Sequence, residues 1–258
     1  MDALERQNQI VEIVLSHGRV SIPEICASFG VSEMTARRDL AQLDRQGLVR
    51  RYHGGAAANL GRSYEPPFKT RSSKYQEAKV AIGRRAADLV IDGDSIALDV
   101  GTTTMEIVPG LAGKRNLTIV TSCLQIANMI VNYVPLEVAA RLIVTGGIVR
   151  PRELSMIGPI PQQVYEDFHV DKAFIGTAGI SVHDGLTEYN IEDTQIKQVL
   201  IRSARERIVV ADASKLGVTT FATVAPLKSI DKIVTDASAS AELVEEIRKQ
   251  GVEVILAT

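Results

Sequence analysis

Apolar positions follow one period at the start of the chain and another beyond it. Over the first fifty residues they recur at helical spacing. Leu4, Ile10, Val11, Val14 and Leu15 form a stripe that stops at Gly18, a residue suited to a left-handed helix end. Val20 follows in a short extended stretch. "SIPE" then sets Ser21 as an N-cap with Glu24 three residues on, the capping-box spacing, before a short helix with Ile25, Cys26 and Phe29 that stops at Gly30. Ser32 caps a third helix that ends near Gly47 and places Ala36, Leu40 and Leu43 on one side. "LVRRYHGG" reads as a strand entering a β-hairpin. Helix, short helix, Gly-containing turn and helix, followed by a hairpin, predict a winged helix-turn-helix.

Further along, short apolar runs alternate with amphipathic stretches. The candidate strands are "SIALDV", "LTIVTS", "RLIVTGG", "KAFIGT", "RIVVAD", "KIVTD" and "VEVILA", preceded by a helix from about Ser73 to Val90. This alternation predicts an α/β domain, a mostly parallel sheet covered by helices. Between the two patterns, "NLGRSYEPPFKTRSSKYQEAK" is rich in Pro, Ser and charge and shows no period, as a connector does. The expected organisation is a winged helix-turn-helix domain over 1–58, a linker over 59–76 and an α/β domain over 77–258.

The polar side of the third helix carries Thr35, Arg38, Gln42 and Arg45, flanked by Met34 and Arg37. These residue types suit the major groove of double-stranded DNA. Arg can pair with guanine, Gln with adenine, and Thr or Met can meet a thymine methyl. Ser32, Arg50, Arg51 and His53 complete the candidate surface, the hairpin arginines lying along phosphates. The ordinary alternative is a solvated helix whose arginines pair with Asp39 and Asp44. A net charge of −2 at first argues against a polyanion. Yet residues 37–51 hold Arg37, Arg38, Arg45, Arg50 and Arg51 against Asp39 and Asp44, and a similar excess recurs over 59–80. A polyanion meets a local patch rather than an average.

Composition narrows the class further. Hydrophobic residues make up 45% of the chain and aromatic residues 4%, with no Trp, which fits a core of Val, Ile, Ala and Leu. Cys26 and Cys123 lie in apolar patterns and read as buried thiols, with neither disulfide nor metal implied. His53, His169 and His183 lack metal-ligand spacing, and His17 suits a helix C-terminus. "MDALERQNQI" has no signal-peptide pattern, and no apolar run approaches the ~18 residues of a membrane span, so a cytoplasmic protein is expected.

Candidate ligand residues gather after the predicted strands, where open α/β sheets bind ligands. Asp99, Gly101, Thr102, Thr103 and Thr104 follow the first, and Thr121 and Ser122 the second. Gly146 and Gly147 follow the third, Gly176 the fourth, and Asp212, Ser214 and Lys215 the fifth. Small residues let backbone N–H groups approach an anion, and hydroxyls add donors. Five such loops on one edge point to a phosphate-bearing ligand. Asp99 and Asp212 could accept from sugar hydroxyls or cap neighbouring turns, and Lys215 is the candidate for ligand charge.

Both halves resemble the DeoR family of bacterial regulators. In the first, the resemblance rests on Ser32, Thr35, Arg37-Arg38-Asp39-Leu40, Leu43, Gly47-Leu48, Arg51 and Gly54-Gly55. In the second it rests on Asp99-Val100-Gly101-Thr102-Thr103, Gly146-Gly147 and Gly176-Thr177-Ala178-Gly179-Ile180, with Gly185-Leu186-Thr187 and Asp212-Ala213-Ser214-Lys215. The family's Thr-Asn-Ser loop departs here to Thr121-Ser122-Cys123. The resemblance implies an effector sheet like that of ribose-5-phosphate isomerase and the coenzyme-A transferases. It also implies a homo-oligomeric repressor of carbohydrate catabolism, without a cofactor, whose hold on operator DNA changes when a sugar phosphate binds. The alternative is a sugar-phosphate isomerase or transferase with an appended DNA-binding domain. Against it, the isomerase's acidic Asp-Gly-Ala-Asp loop is replaced by Gly176-Thr177-Ala178-Gly179, and its Lys-Gly-Gly-Gly stretch has no counterpart. Glu188, Glu192 and Asp193 lie near, ahead of Lys197, but acids in a first helical turn are ordinary. A sensor without turnover is expected.

Overall fold

The computed structural model describes residues 2–46, 48–58, 61–136 and 139–258. Gly47, where the third helix was expected to end, lies outside them, as do residues 59 and 60 of the expected linker. The chain divides into two compact units, Met1–Pro66 and Pro67–Thr258.

In the first unit, α1 (Ala3–His17) ends at Gly18 in the left-handed conformation. Strand β1 (Arg19–Ser21) leads into α2 (Ile22–Phe29), where Ser21 and Glu24 form the full capping box. Helix α3 (Glu33–Arg45) is capped by the Ser32 side chain. Strands β2 (Val49–Tyr52) and β3 (Gly55–Ala58) form the wing, with β1 as a third strand beside β3. The hairpin turns at His53-Gly54, and Gly54 has φ 101°, a conformation that favours glycine. Ile10, Val14, Ile25, Ala36, Leu40, Leu43 and Val49 form the core. The stripes read from helical spacing therefore meet one another, except that Leu4 is exposed. Cys26 is only half-buried, because the short α2 turns it to the margin of this small core.

The second unit begins with α4 (Phe68–Ser73), inside the stretch expected to be a structureless connector, and continues with α5 (Gln76–Ala87). The helix expected from about Ser73 to Val90 is α5, three residues shorter at each end, and α4 is an additional helix ahead of it. Pro67 starts α4, and Tyr75, at φ 56°, breaks the path between them. The remaining strands are β4 (Ser95–Leu98), β5 (Leu117–Thr121), β6 (Ala140–Val144), β7 (Ile148–Arg150), β8 (Ser155–Ile157) and β9 (Val170–Ile175). Then come β10 (Gly179–Ser181), β11 (Gly185–Glu188), β12 (Ala204–Val210), β13 (Ala222–Ala225), β14 (Lys232–Asp236) and β15 (Glu253–Ala257). The helices are α6 (Leu124–Tyr133), α7 (Pro159–Asp167), α8 (Ile191–Ser203) and α9 (Ala241–Arg248), with 3-10 turns over Thr104–Leu111, Ala213–Lys215 and Leu227–Ser229.

Seven strands form one parallel sheet in the order β15-β14-β12-β9-β4-β5-β6. These are the seven apolar runs of the sequence. The inner strands are apolar on both faces because both faces are covered: Ile208 and Val210 pack in one core, and Val209 packs in the other. The antiparallel pair β7-β8 and the small sheet β10-β11-β13 are additions that the sequence pattern did not signal. The strand order turns around between β4 and β9. From β4 the chain adds strands to one side, and from β9 to the other. Such a switch point leaves a crevice at the carboxyl ends of the two central strands.

Candidate nucleic-acid interface and effector site

Helix α3 turns Ala36, Leu40 and Leu43 inward, leaving Met34, Arg37, Arg38, Gln42 and Arg45 exposed and Thr35 half-exposed. Met34 is 81% exposed, so this large apolar side chain has no role in the core. The pairing of the arginines with Asp39 and Asp44 does not occur in the way the solvated-helix alternative requires. Asp39 is buried and receives Arg6 Nε at 2.7 Å and Gln7 Nε2 at 2.9 Å. Asp44 accepts the backbone N–H of Arg51 at 3.2 Å, tying the wing to α3. Arg37 makes an exposed pair with Glu33 at 3.4 Å, and Arg45 Nε donates to the Ala41 carbonyl at 3.3 Å. Arg50, Arg51 and His53 are exposed on the wing. Ser32 is occupied as the cap: its Oγ accepts from Thr35 N at 3.3 Å and lies 3.1 Å from Thr35 Oγ1. Gln42 accepts a hydrogen bond from Gln7 Nε2 at 3.0 Å.

In the second unit, the loops after β4, β5, β6, β9 and β12 lie on one edge of the sheet because those strands are parallel. Asp99 and Gly176 meet across the switch point, Gly176 N donating to Asp99 Oδ2 at 3.0 Å. Lys197, from α8, reaches the same place. Its Nζ contacts Asp99 Oδ2, donates to the Gly176 carbonyl at 2.9 Å and lies 3.5 Å from Glu188 Oε2. Burial lowers the proton affinity of Lys197, but Asp99 and Glu188 outweigh it and hold the amine as a cation. Burial raises the Asp99 pKa against the pull of Lys197. Asp99 Oδ1 and Thr104 Oγ1 are both buried without a hydrogen-bond partner among the described residues. A buried polar atom in that condition is costly unless something supplies the missing bond.

Glu188 links this place to a cationic cluster. Lys79 of α5 is buried, donates to the Arg71 carbonyl, and is pushed down to about 8 by burial, with Lys215 and Arg71 adding repulsion against the pull of Asp212. Burial likewise lowers Lys215, which feels Asp212, Arg71 and Glu188. Glu188 thus adjoins both clusters. Arg71 also pairs with Glu153, and Arg150 with Asp193. Lysines held below their usual affinity for a proton mark a place where an added anion is welcome.

The other predicted ligand residues divide by what already occupies them. Thr102 and Thr103 are buried in the turn after Asp99. Thr121 donates to the Leu98 carbonyl at 2.7 Å and accepts from Cys123 N at 3.1 Å, so its hydroxyl serves the turn. Ser122 is buried, and its carbonyl accepts from Met156 N at 2.7 Å. Asp212 caps the turn that follows it, taking Ser214 N at 3.1 Å and the Ser214 hydroxyl. Of the two roles left open for Asp212, capping is the one filled, and Ser214 is committed with it. Gly147 has φ 127°, and a Cβ there would lie 2.8 Å from Pro161 Cδ; packing alone demands this glycine. At Gly176 a Cβ would lie 3.0 Å from the Val100 carbonyl, where the β4 and β9 loops touch. Gly101 and Gly146 complete the edge. Among the described residues no group of three or more His, Cys, Asp or Glu is placed to hold a metal ion, and no helix is long and apolar enough to cross a membrane.

Comparison with known proteins gives the arrangement a context. The model of the DeoR-like helix-turn-helix domain matches residues 6–60, and that of the DeoR C terminal sensor domain matches residues 74–237. The chain belongs to the DeoR family. It is a DNA-binding transcriptional regulator with a sensor domain. Similar members include the HTH-type transcriptional regulator GolR of Listeria innocua, 30% identical over all of both chains. GlpR of Haloferax volcanii is 33% identical over 97% of this chain and 96% of its own. The glycerol-3-phosphate regulon repressor of Escherichia coli is 32% identical over 92% of each. Among solved structures, ribose 5-phosphate isomerase A of Methanocaldococcus jannaschii aligns with 54% of this chain and 54% of its own at 18% identity and a TM-score of 0.38, a likeness too partial to carry weight.

For this DeoR-family regulator, the sequence shows Lys197 only as a residue of the helix behind ordinary first-turn acids such as Asp193, and Lys79 only as part of the basic excess over 59–80. A usable signal was present. Lys197 falls one turn after Asp193 and three residues before Leu200, and Lys79 falls three before Ile82; both lysines sit on the apolar stripe of their helices. A lysine on a core face needs a partner or a ligand.

Proposed function

We propose that the chain is a repressor of a carbohydrate-catabolism operon, and that a phosphorylated sugar binding at the switch point changes its affinity for double-stranded operator DNA. The observation that carries this reading is the unpartnered pair of buried atoms, Asp99 Oδ1 and Thr104 Oγ1, at a switch point whose Glu188 also faces Lys215 of the lysine cluster. Asp99 accepts from a sugar hydroxyl, while Lys79 and Lys215 take the phosphate charge. The similarity to a glycerol-3-phosphate regulon repressor supports a phosphorylated ligand. On α3, Thr35, Arg38 and Gln42 face base edges, and Arg50, Arg51 and His53 follow phosphates.

In this reading the regulator acts in the cytoplasm as a homo-oligomer, which sets two recognition helices on two half-sites. The expected domains over 1–58 and 77–258 are the DNA reader and the sensor, coupled through the residues between them. The sensor does not turn its ligand over. Fluorescence anisotropy on DNA upstream of the gene, with triose, pentose and hexose phosphates added to the complex, tests the proposal. Selective binding released by one compound is expected. Product formation from such a compound would favour the enzyme alternative, and unselective DNA binding would remove the operator reading.

A further inference from the structure

Beneath the exposed face of α3 lies a hydrogen-bonded chain that the DNA-reading surface does not itself require. Gln7, on α1, is 4% exposed. Its Nε2 donates to Asp39 Oδ1 at 2.9 Å and to Gln42 Oε1 at 3.0 Å. Arg6 holds the same carboxylate from the other side, with Nε at 2.7 Å from Oδ2 and Nη2 at 3.3 Å from Oδ1. Arg6 and Asp39 are themselves buried, at 8% and 2% exposure.

The chemistry of this chain fixes the direction of every amide in it. The Asp39 carboxylate only accepts, so the Gln7 atom that faces it must be the NH2 group. That same nitrogen faces Gln42, so the Gln42 atom receiving it must be the carbonyl oxygen. The free rotation by which a surface glutamine exchanges oxygen and nitrogen is thereby removed, and the NH2 group of Gln42 is set on the far side from Gln7. An exposed glutamine ordinarily loses rotamer freedom only on meeting DNA. Here part of that ordering is in place beforehand, through a buried residue on another helix.

We propose that Gln7 is a positioning residue for base reading: it presets the amide orientation of Gln42, and the Arg6–Asp39 pair holds Gln7 in register. The inference rests on the proposed role of Gln42 at a base edge. One lone pair of Gln42 Oε1 is engaged by Gln7, which leaves the other lone pair and both amide hydrogens for a base. That is the orientation a two-bond contact with adenine uses, and a flipped amide would present the opposite pattern to the same base.

The test measures binding of the full chain to its operator and to every single-base-pair variant of each half-site, for Gln42→Ala, Gln7→Met and the double variant. Gln7→Met keeps the length and the burial of the side chain but removes both donors. Gln42→Ala is expected to flatten the preference at one base pair by about tenfold. Gln7→Met is expected to flatten the same base pair, leave the others and random DNA unchanged, and add little in the double variant. If Gln42→Ala flattens a base pair that Gln7→Met leaves intact, the positioning role is overturned while base reading by Gln42 stands. If Gln42→Ala flattens no base pair, both ideas fall together. Should Gln7→Met fail to fold, Gln7→Asn decides, since it keeps a buried amide but withdraws it from Gln42 by one methylene; retained discrimination in that variant overturns the inference.

Discussion

Replacing Lys197 with methionine removes the cation that Asp99 and Glu188 share while keeping a side chain of similar length. Lys197 is 2% exposed, and Asp99 is fully buried. Taking one partner out of such a pair leaves an uncompensated charge in a place water does not reach, and costs about 3–5 kcal/mol. The loss depends on pH in a direction opposite to that of a surface carboxylate. Burial already raises the Asp99 pKa against the pull of Lys197, and without that pull it rises further. In the variant, the folded chain keeps a proton on the buried carboxyl at pH values where the unfolded chain has released it. Stability therefore falls as pH rises from about 4 through the raised pKa, by about 1.4 kcal/mol per pH unit inside that window. Urea unfolding followed by circular dichroism at pH 5.5 and pH 8, with the transition of the second unit analysed separately, reads the difference. The variant should lose about 3–5 kcal/mol at pH 8 and distinctly less at pH 5.5. Adding Asp99→Asn should recover much of the loss, because a neutral pair replaces a stranded charge. A loss below about 1 kcal/mol, or one equal at both pH values, would refute a buried ion pair at the switch point.

Other consequences follow from the same physics. Asp39→Ala strips Arg6 and Gln7 of their shared acceptor, and should cost the first unit about 3–5 kcal/mol in urea unfolding while leaving the second transition in place; an unchanged first transition would contradict the buried network. Arg38→Ala should weaken operator binding by about 1–3 kcal/mol and random DNA far less, as read by anisotropy; equal losses on both would reduce Arg38 to a phosphate contact. Lys79 has its folded pKa pushed down to about 8 from the usual 10.5. The unfolded chain holds more protons between those values, so stability should rise with pH across that window, and Lys79→Met should remove the rise. An anionic ligand restores the proton, so calorimetry at pH 8.5 in buffers of different ionisation heat should show proton uptake on binding. Proton release would remove Lys79 from the ligand site.

Much of this architecture was legible in the chain, for identifiable reasons. The inner strands of the seven-stranded sheet are continuous apolar runs because both of their faces are covered, and that pattern survives without knowledge of strand order. The first unit was legible through its caps: Gly18, Ser21 with Glu24, Gly30 and Ser32 each mark a helix end by local chemistry. The β7-β8 pair and the β10-β11-β13 sheet were not legible, since strands of three or four residues are too short to show a period. Asp99 and Gly176 could be placed at strand ends, but their meeting at the switch point depends on the order in which strands join the sheet, which no local pattern records. Lys197 and Gln7 act across 98 and 35 residues of sequence respectively, and each looks ordinary beside its chain neighbours. Long-range polar partners of this kind leave only an indirect mark, a polar residue on an apolar helical stripe.

The most direct test of the central claim measures the affinity of the releasing sugar phosphate for the full chain by calorimetry, first alone and then with saturating operator DNA. If ligand and operator act on one equilibrium, operator must weaken the ligand by the same factor by which ligand weakens operator. The account predicts a weakening of about 5- to 150-fold, the usual range of such coupling, matched by the shift in the anisotropy curve. A ligand affinity unchanged by saturating operator would mean that the sensor site and the DNA face are not coupled, and would contradict the account.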